Sequence, residues 1–388
     1  MSDIAQDQTQ AALSHAGSAS PIQLVAQRVS GADWDMIVSG FDDLCQEQLH
    51  AFASTRWPGV EQEPVVFLSQ GQVVGGALVM VQPLPLRLGH IAVVKWAPML
   101  ANAARDDAEA LRAAMVGCLV EDYANTRGMM VSVLLHASVG ERNEGYVALR
   151  ELGFARGSSL LYPNRYLVNL RLADAAQRAS FQQAWRRQLS KAERAGLEFR
   201  RAGSDEIDAF KRLYDAMTER KQFPDHSAYE TLDALMALEE PLRPELFFVS
   251  REGKDVAGAL VFKAGKRVVY LYGATNELAL PLRAGYFLHW QIIRWLRDHT
   301  RADWYDLGGT DGFQGLHQFK KGMVGSAGVI RPVPPVLNFA ANPRARLTGT
   351  LSFGARDAVH HLRRHLNALS KSKAKPDQAP HVWEDYLK

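Results

Sequence analysis

Cysteine is nearly missing: Cys45 and Cys118 are the only two in 388 residues. Two thiols make neither a disulfide framework nor a metal site, which points to a reducing compartment. No apolar run approaches the roughly 18 residues that a membrane span needs. The opening MSDIAQDQTQAALSHAGSASP has no basic start and no apolar centre, so it does not read as a secretory signal. Its small polar residues predict disorder up to Pro21. Net charge is only +3, too little for the chain as a whole to hold a polyanion. No stable DNA binding is expected, any basic patch must be local, and a cytoplasmic protein is predicted. The twelve histidines are scattered, with His360 and His361 the only adjacent pair. No His/Cys/Asp/Glu cluster has metal-ligand spacing. The G-x-S-x-G elbow, the Walker loop and the G-x-G-x-x-G fingerprint are all missing. Hydrolase triads and metal chemistry are therefore poorly supported.

What is present is a repeat. The length favours two or three domains, and 47% apolar residues are ample for their cores. "VVFLSQGQVVGGALVMV" (65–81) and "LFFVSREGKDVAGALVFK" (246–263) are each an apolar run, a polar turn with a glycine, and a second run containing G-A-L-V. Both predict β-hairpins, and the shared G-A-L-V indicates duplication. The first is followed by the run "IAVVKWAPML", a helix pattern over 106–126, a strand over 129–135 and a short helix ending "YVALRELGF". The second is followed by the strand "RVVYLYGAT", a helix pattern over 284–298, the strand "DWYDL" and the short helix "LHQFKKGM". A glycine after each last helix reads as a C-terminal cap. Strands alternating with helices predict an α/β sheet covered on both faces.

Between the halves, Ser180 and Gln183 form a capping-box pattern, followed by one apolar helix face of Phe181, Trp185 and Leu189. Another face carries Arg187, Lys191 and Arg194, and seven Lys/Arg stand against two Glu from Arg178 to Arg201. The proline-rich "VIRPVPPVLNF" is expected to end the second sheet. Beyond it, residues 341–388 hold nine Lys/Arg and four Asp/Glu, and 355–369 has the spacing of an amphipathic basic helix. That helix is either packed or solvated, or it touches a membrane surface.

The helix starting near Gly285 is apolar almost all round and must be buried. Its N-terminus, with Arg283 beside it, offers N–H groups and a guanidinium to a phosphate. Acyl transfer asks little of a protein: the amine must be placed against the acyl carbonyl and the oxyanion stabilised. The stretch "YDLGGTDGFQGLHQFKKGMVG" (305–325) runs from a strand end through glycines to Lys320 and Lys321. It could present a cation for that purpose.

These residues resemble a known family. "WRRQLSKAERAGLEFRR" (185–201) looks like the K-A-x-x-A-G helix of the Fem aminoacyltransferases. "LRAGYFLHWQIIRWLRDHTRADWYDLGG" followed by "GLHQFKKGM" looks like that family's buried helix, Y-D-x-G-G strand end and F-K-K-G. The resemblance covers about residues 65–335 and is most specific in the second half. It implies an α/β fold of two tandem GNAT-like domains, with mixed twisted sheets flanked by helices. It also implies transfer of an amino acid from aminoacyl-tRNA to the peptide of a peptidoglycan precursor. By the same resemblance, Lys320 would stabilise the tetrahedral intermediate or the acyl oxygen, and Tyr272 would be its catalytic companion. Arg283, Arg187, Lys191, Tyr270 and Asp306 would bind substrate. Where many members carry an acceptor-binding Asp, this chain has Ala101, and it shows no coiled-coil arm.

On this reading, a disordered 1–21 precedes GNAT-like domains over 22–165 and 166–338. The second includes the basic helical segment 178–240, and a basic, partly helical tail occupies 339–388. No cofactor is implied beyond the aminoacyl-tRNA co-substrate. Expected partners are that tRNA, a cell-wall precursor and, through the tail, the inner membrane surface. Two other readings stand. One is an acyl-CoA-dependent N-acyltransferase for a small molecule or a polysaccharide-export system, although "LPLRAGYF" holds only a fragment of the usual CoA loop. The other is a degenerate, non-catalytic pair that binds RNA or wall precursor.

Overall fold

The computed structural model describes residues 22–221 and 228–354. Its first half holds β1 (Val25–Arg28), α1 (Gly31–Val38), α2 (His50–Arg56), the hairpin β2 (Glu61–Ser69) and β3 (Gln72–Pro83), then β4 (His90–Lys95) and β5 (Met99–Leu100). It continues with α3 (Ala108–Leu119), β6 (Met130–Leu134), α4 (Glu144–Glu151) and β7 (Ala155–Arg156). The second half begins with β8 (Asn164–Asn169), α5 (Asp174–Ser180), α6 (Gln183–Glu193), β9 (Leu197–Ala202), α7 (Ile207–Lys221) and α8 (Leu232–Met236). Next come the hairpin β10 (Glu245–Arg251) and β11 (Lys254–Phe262), then β12 (Arg267–Thr275), α9 (Ala279–Leu282), α10 (Ala284–His299), β13 (Trp304–Asp306), α11 (Gln314–Val324) and β14 (Val329–Pro332). β15 (Leu337–Phe339) and the helix α12 (343–354) close the described chain.

The repeat extends to the register. Val66 faces Gly76 and Phe248 faces Gly258, and each hairpin then shifts register one residue later, after Phe67 and after Val249. A bulge at the same place in both hairpins imposes the same bend on both sheets. Each half also contains one parallel pair, β4 with β6 and β12 with β13, among antiparallel neighbours. A parallel pair needs a long crossover, which α3 and α10 supply. The second sheet is covered on both faces. On one, Trp185, Leu189, Leu288, Ile292 and Met323 pack; on the other lie Phe210, Tyr214, Leu232 and Met236.

Three expectations need correction. β15 does not end the second sheet: it crosses back and pairs with β6 and β7 of the first, while β8 lies between β14 and β13 in the second. A division at residue 165 therefore cuts through β8. Ser180 is no N-cap either. It ends α5, its Oγ donating to the Gln177 carbonyl at 2.7 Å, and α6 starts after Gln182 without a side-chain cap. Finally, Gly322 does not end its helix. α11 runs on to Val324, and Gly325, at φ 62°, stops it. A Cβ on Gly322 would lie 2.9 Å from Cδ1 of Trp185, so this glycine is a packing residue. In the first half, Gly153 does follow its helix at φ 88°, as expected.

The halves are joined by their cores and by charge. Leu235, Leu242, Phe262 and Val269 of the second half pack into the first-half core. Asp42 accepts ion pairs from Lys266 at 3.1 Å and Arg301 at 2.6 Å. The amphipathic stretch expected at 355–369 and the segment 1–21 lie outside the described residues.

Candidate active site

The parallel strands β12 and β13 end beside one another, and the chain then turns through 307–313 into α11. Asp306, 1% exposed, shapes that turn by accepting from the Gly308 N–H at 2.8 Å and from Arg165 of β8 at 3.2 and 3.3 Å. The turn presents its carbonyls inward. Lys320, on the inner side of α11, is buried, and its Nζ donates to the Leu307 carbonyl at 2.5 Å and to that of Gly309. Burial, and then the nearby Arg165 guanidinium, lowers the ammonium from 10.5 to about 7 against the opposing pull of Asp306 and Asp311.

The duplication separates scaffold from site. In matched register, Val94 occupies in β4 the place that Tyr270 has in β12, since they face Val79 and Val261 of the two G-A-L-V runs. Likewise Ser132 stands where Asp306 stands. Arg150, in the corresponding short helix of the first half, is exposed and turns back to the Phe154 carbonyl. The acid, the tyrosine and the buried lysine thus belong to the second half alone.

Two cavities meet at this point. The first, about 370 Å³, lies between the halves and is lined by Glu47, Arg56, Lys95, Arg165 and Lys320, with Trp57 and Tyr272 among its walls. Four of those charged groups are cations and one is a carboxylate. Burial would raise the Glu47 carboxyl, but Lys95, which bonds it, and the Trp96 indole N–H at 3.0 Å hold it below its usual value. The second, about 770 Å³ and mostly apolar, runs along β12 and the start of α10, past Tyr286, His289, Phe313 and Phe319. Tyr270 is the residue that lines both. Its ring meets His289 edge-on at 4.9 Å, and burial raises its phenol.

The residues expected from sequence are distributed unevenly. Lys320, Tyr270 and Asp306 come together. Tyr272 lines the first cavity, but its hydroxyl donates to the Ala228 carbonyl at 2.7 Å and lies 3.1 Å from Thr231 Oγ1. Burial raises that phenol to about 12. Such a hydroxyl fixes a wall; it is not held ready for chemistry. Arg283, left-handed at φ 58°, borders the second cavity just before α10, and its guanidinium has no hydrogen bond or ion pair among the described residues. Arg187 and Lys191 are exposed on the outer face of α6 and line neither cavity. The described residues contain no metal-holding cluster of three or more His, Cys, Asp or Glu.

Sequence reasoning missed His289, Arg165, Glu47 and Lys95. His289 faces inward from α10, with its Nδ1 3.2 Å from Tyr305 Oη. Burial, then Lys320, pushes it to about 3, so it is neutral. Its signal was there: a histidine inside a helix otherwise apolar all round. The other three come from β8, β4 and a 3-10 turn at Gln46–Gln48, and only folding brings them to Lys320.

Comparison with known proteins bears out the fold. Residues 179–321 match a family model described as an acetyltransferase (GNAT) domain. A stretch of 119 residues, 30% of this chain, is 29% identical to the UDP-N-acetylmuramoylpentapeptide-lysine N(6)-alanyltransferase of Weissella viridescens; it spans 34% of that protein's length. Among solved structures, FemX superposes with a TM-score of 0.66 at 17% identity, covering 81% of this chain and 97% of its own. The L-PGS structure from Bacillus licheniformis superposes at 0.52 with 13% identity, covering 84% and 98%. Both likenesses are of fold. These matches show a GNAT domain over residues 179–321 and a fold like that of FemX over most of the chain, and the Y-D-x-G-G and F-K-K-G motifs around Lys320 resemble those of the Fem aminoacyltransferases.

Proposed function

We propose that the protein forms an amide on an amine of a cell-wall precursor peptide, taking the amino acid from aminoacyl-tRNA. The observation that carries this reading is Tyr270 between two unlike cavities, with Lys320 in the wall of the first. The apolar cavity passes the unpaired Arg283 and the N-terminus of α10, which suit a phosphate near the donor's acyl end. The cationic cavity between the halves suits an acceptor that carries acidic groups. Arg187 and Lys191, exposed on α6, are free to meet the tRNA backbone. The Weissella viridescens relative, by its name, alanylates a lysine of a nucleotide-linked pentapeptide. The proposal extends a reaction of that class to this chain and places it in the cytoplasm, where charged tRNA is found.

The chemistry follows from the lysine. The acceptor nitrogen bonds to the acyl carbon, the ester C–O bond breaks, and the amine's proton ends on the ribose oxygen. Lys320 commits two N–H bonds to the Leu307 and Gly309 carbonyls. One tetrahedral position remains for the cavity. When the amine is neutral, that position is a lone pair able to take the acceptor's proton. When it is protonated, it donates to the oxyanion and then to the leaving oxygen. A value near 7 lets one group do both. Asp306 and Arg165 hold the turn that fixes this geometry, and Tyr272 holds the wall.

The test uses the full chain with alanyl-tRNA and a nucleotide-linked pentapeptide, and in parallel with acetyl-CoA. The expected result is an RNase-sensitive mass gain on the peptide. Transfer from acetyl-CoA without tRNA overturns the donor. No transfer from either donor favours the non-catalytic reading.

A further inference from the structure

The turn between β3 and β4, Leu84-Pro-Leu-Arg-Leu-Gly89, exposes leucine at a strained tip. Leu86 and Arg87 both have positive φ, 56° and 58°, a conformation that non-glycine residues rarely hold. Leu86 is 91% exposed and Leu88 42%. The helix α12 packs at the root of this hairpin. Its Gly349 lies against Met130, which clusters with Leu84, Ile91 and Phe353. Ala345 and Gly349 face inward, while Leu347 and Leu351, one helical turn apart, are 61% and 63% exposed. Arg344 and Arg346 are exposed beside them.

The charged residues of the turn and of α12 are cations, Arg87, Arg344 and Arg346, while on the neighbouring strand Glu61, opposite Val81, is exposed. No Asp or Glu occurs from Pro83 to Arg105, and none from Gly312 to Arg356. Ahead of β6, Asp122 pairs with Arg28 at 2.6 Å, and the exposed Glu121 accepts from the neutral Asn125 at 2.7 Å and keeps its charge. A single exposed leucine needs no explanation, but four on one edge of the fold mark a contact surface. A nucleic acid would be met by cations and aromatic faces, and the turn instead holds Leu86, 91% exposed, at its tip. Exposed leucines set among exposed arginines fit the boundary between acyl chains and anionic headgroups.

We propose that the 84–89 turn and the outer face of α12 dock this protein reversibly on an anionic lipid surface. This holds whatever the donor and acceptor are. The test is co-sedimentation of the full chain with vesicles of phosphatidylcholine alone and of phosphatidylcholine mixed with phosphatidylglycerol. Binding is expected only to the mixed vesicles and weakens with added salt. Leu86→Asp combined with Leu351→Asp lowers partitioning at least about tenfold. Both positions are exposed, so thermal unfolding is unchanged. Three results overturn the proposal: no binding to either vesicle; binding untouched by the double substitution and lost only when residues beyond 354 are removed; or a double variant whose tRNA binding, and not its vesicle binding, is what weakens.

Discussion

Lys320 Nζ lies 2.5 Å from the carbonyl oxygen of Leu307, the residue that follows the buried Asp306. A lysine held by backbone carbonyls is oriented, and burial lowers its affinity for a proton. Lys320→Ala is expected to reduce turnover about a hundredfold or more, the cost of losing an oxyanion donor or a general base. Lys320→Arg separates the two roles, because a guanidinium keeps the charge and cannot release a proton. If Lys320 acts as the base, the arginine variant is as slow as the alanine one. The wild-type kcat/KM then rises with pH through a value near 7, a step the arginine variant lacks. Restored turnover in Lys320→Arg would leave only the electrostatic role.

The same group makes stability depend on pH. Its folded value, about 7, lies below the ordinary 10.5. Between those values the unfolded chain binds more protons than the folded one, so this lysine makes stability rise with pH across that window. The burial penalty is fully present below about 7 and gone above 10.5. Urea unfolding at a series of pH values should show this slope in the wild type and lose it in Lys320→Met. A slope shared by both proteins would assign it to other groups.

Tyr270 and Tyr272 are expected to behave differently. Tyr272→Phe removes hydroxyl contacts to Ala228 and Thr231, which costs about 1 kcal/mol of stability and leaves turnover within about twofold. Tyr270 Oη has no hydrogen bond among the described residues, and its ring divides the cavities. Tyr270→Ala should keep the fold but slow transfer at least about tenfold, because it merges the spaces that orient donor and acceptor. Equal effects of the two substitutions on turnover would defeat the distinction.

Gly322→Ala tests the correction to the helix end. A Cβ there would come 2.9 Å from Cδ1 and 3.1 Å from Cβ of Trp185. Trp185 is itself enclosed by Phe181, Tyr286 and Phe319 and has nowhere to retreat. Overpacking of this kind costs about 1–3 kcal/mol. If Gly322 were only a helix-ending residue, Ala would cost less than that; denaturant midpoints decide between the two.

Much of the fold was legible because it is local. A period-two apolar run around a polar turn makes a hairpin wherever it occurs, and the G-A-L-V pair marked both hairpins before any register was known. The helix at 284–299 was equally plain, since a segment apolar all round has no stable place on a surface. The F-K-K-G lysine could be named from resemblance. Its proton affinity could not, because that depends on burial and on Arg165, which a distant segment of chain supplies.

By itself, then, the sequence determined the repeated unit, the order of strands and helices within it, and the stretch in which the special lysine sits. Those follow from side-chain periodicity and turn chemistry, which act over a few residues. Tertiary structure alone decided that β15 returns to the first sheet and that Tyr272 is tied down while Tyr270 is not. It alone decided that Arg165, Glu47, Lys95 and His289 surround Lys320. Each of these depends on which distant segments pair across a sheet, and a contact between positions 165 and 306 leaves no periodic trace in either stretch of chain.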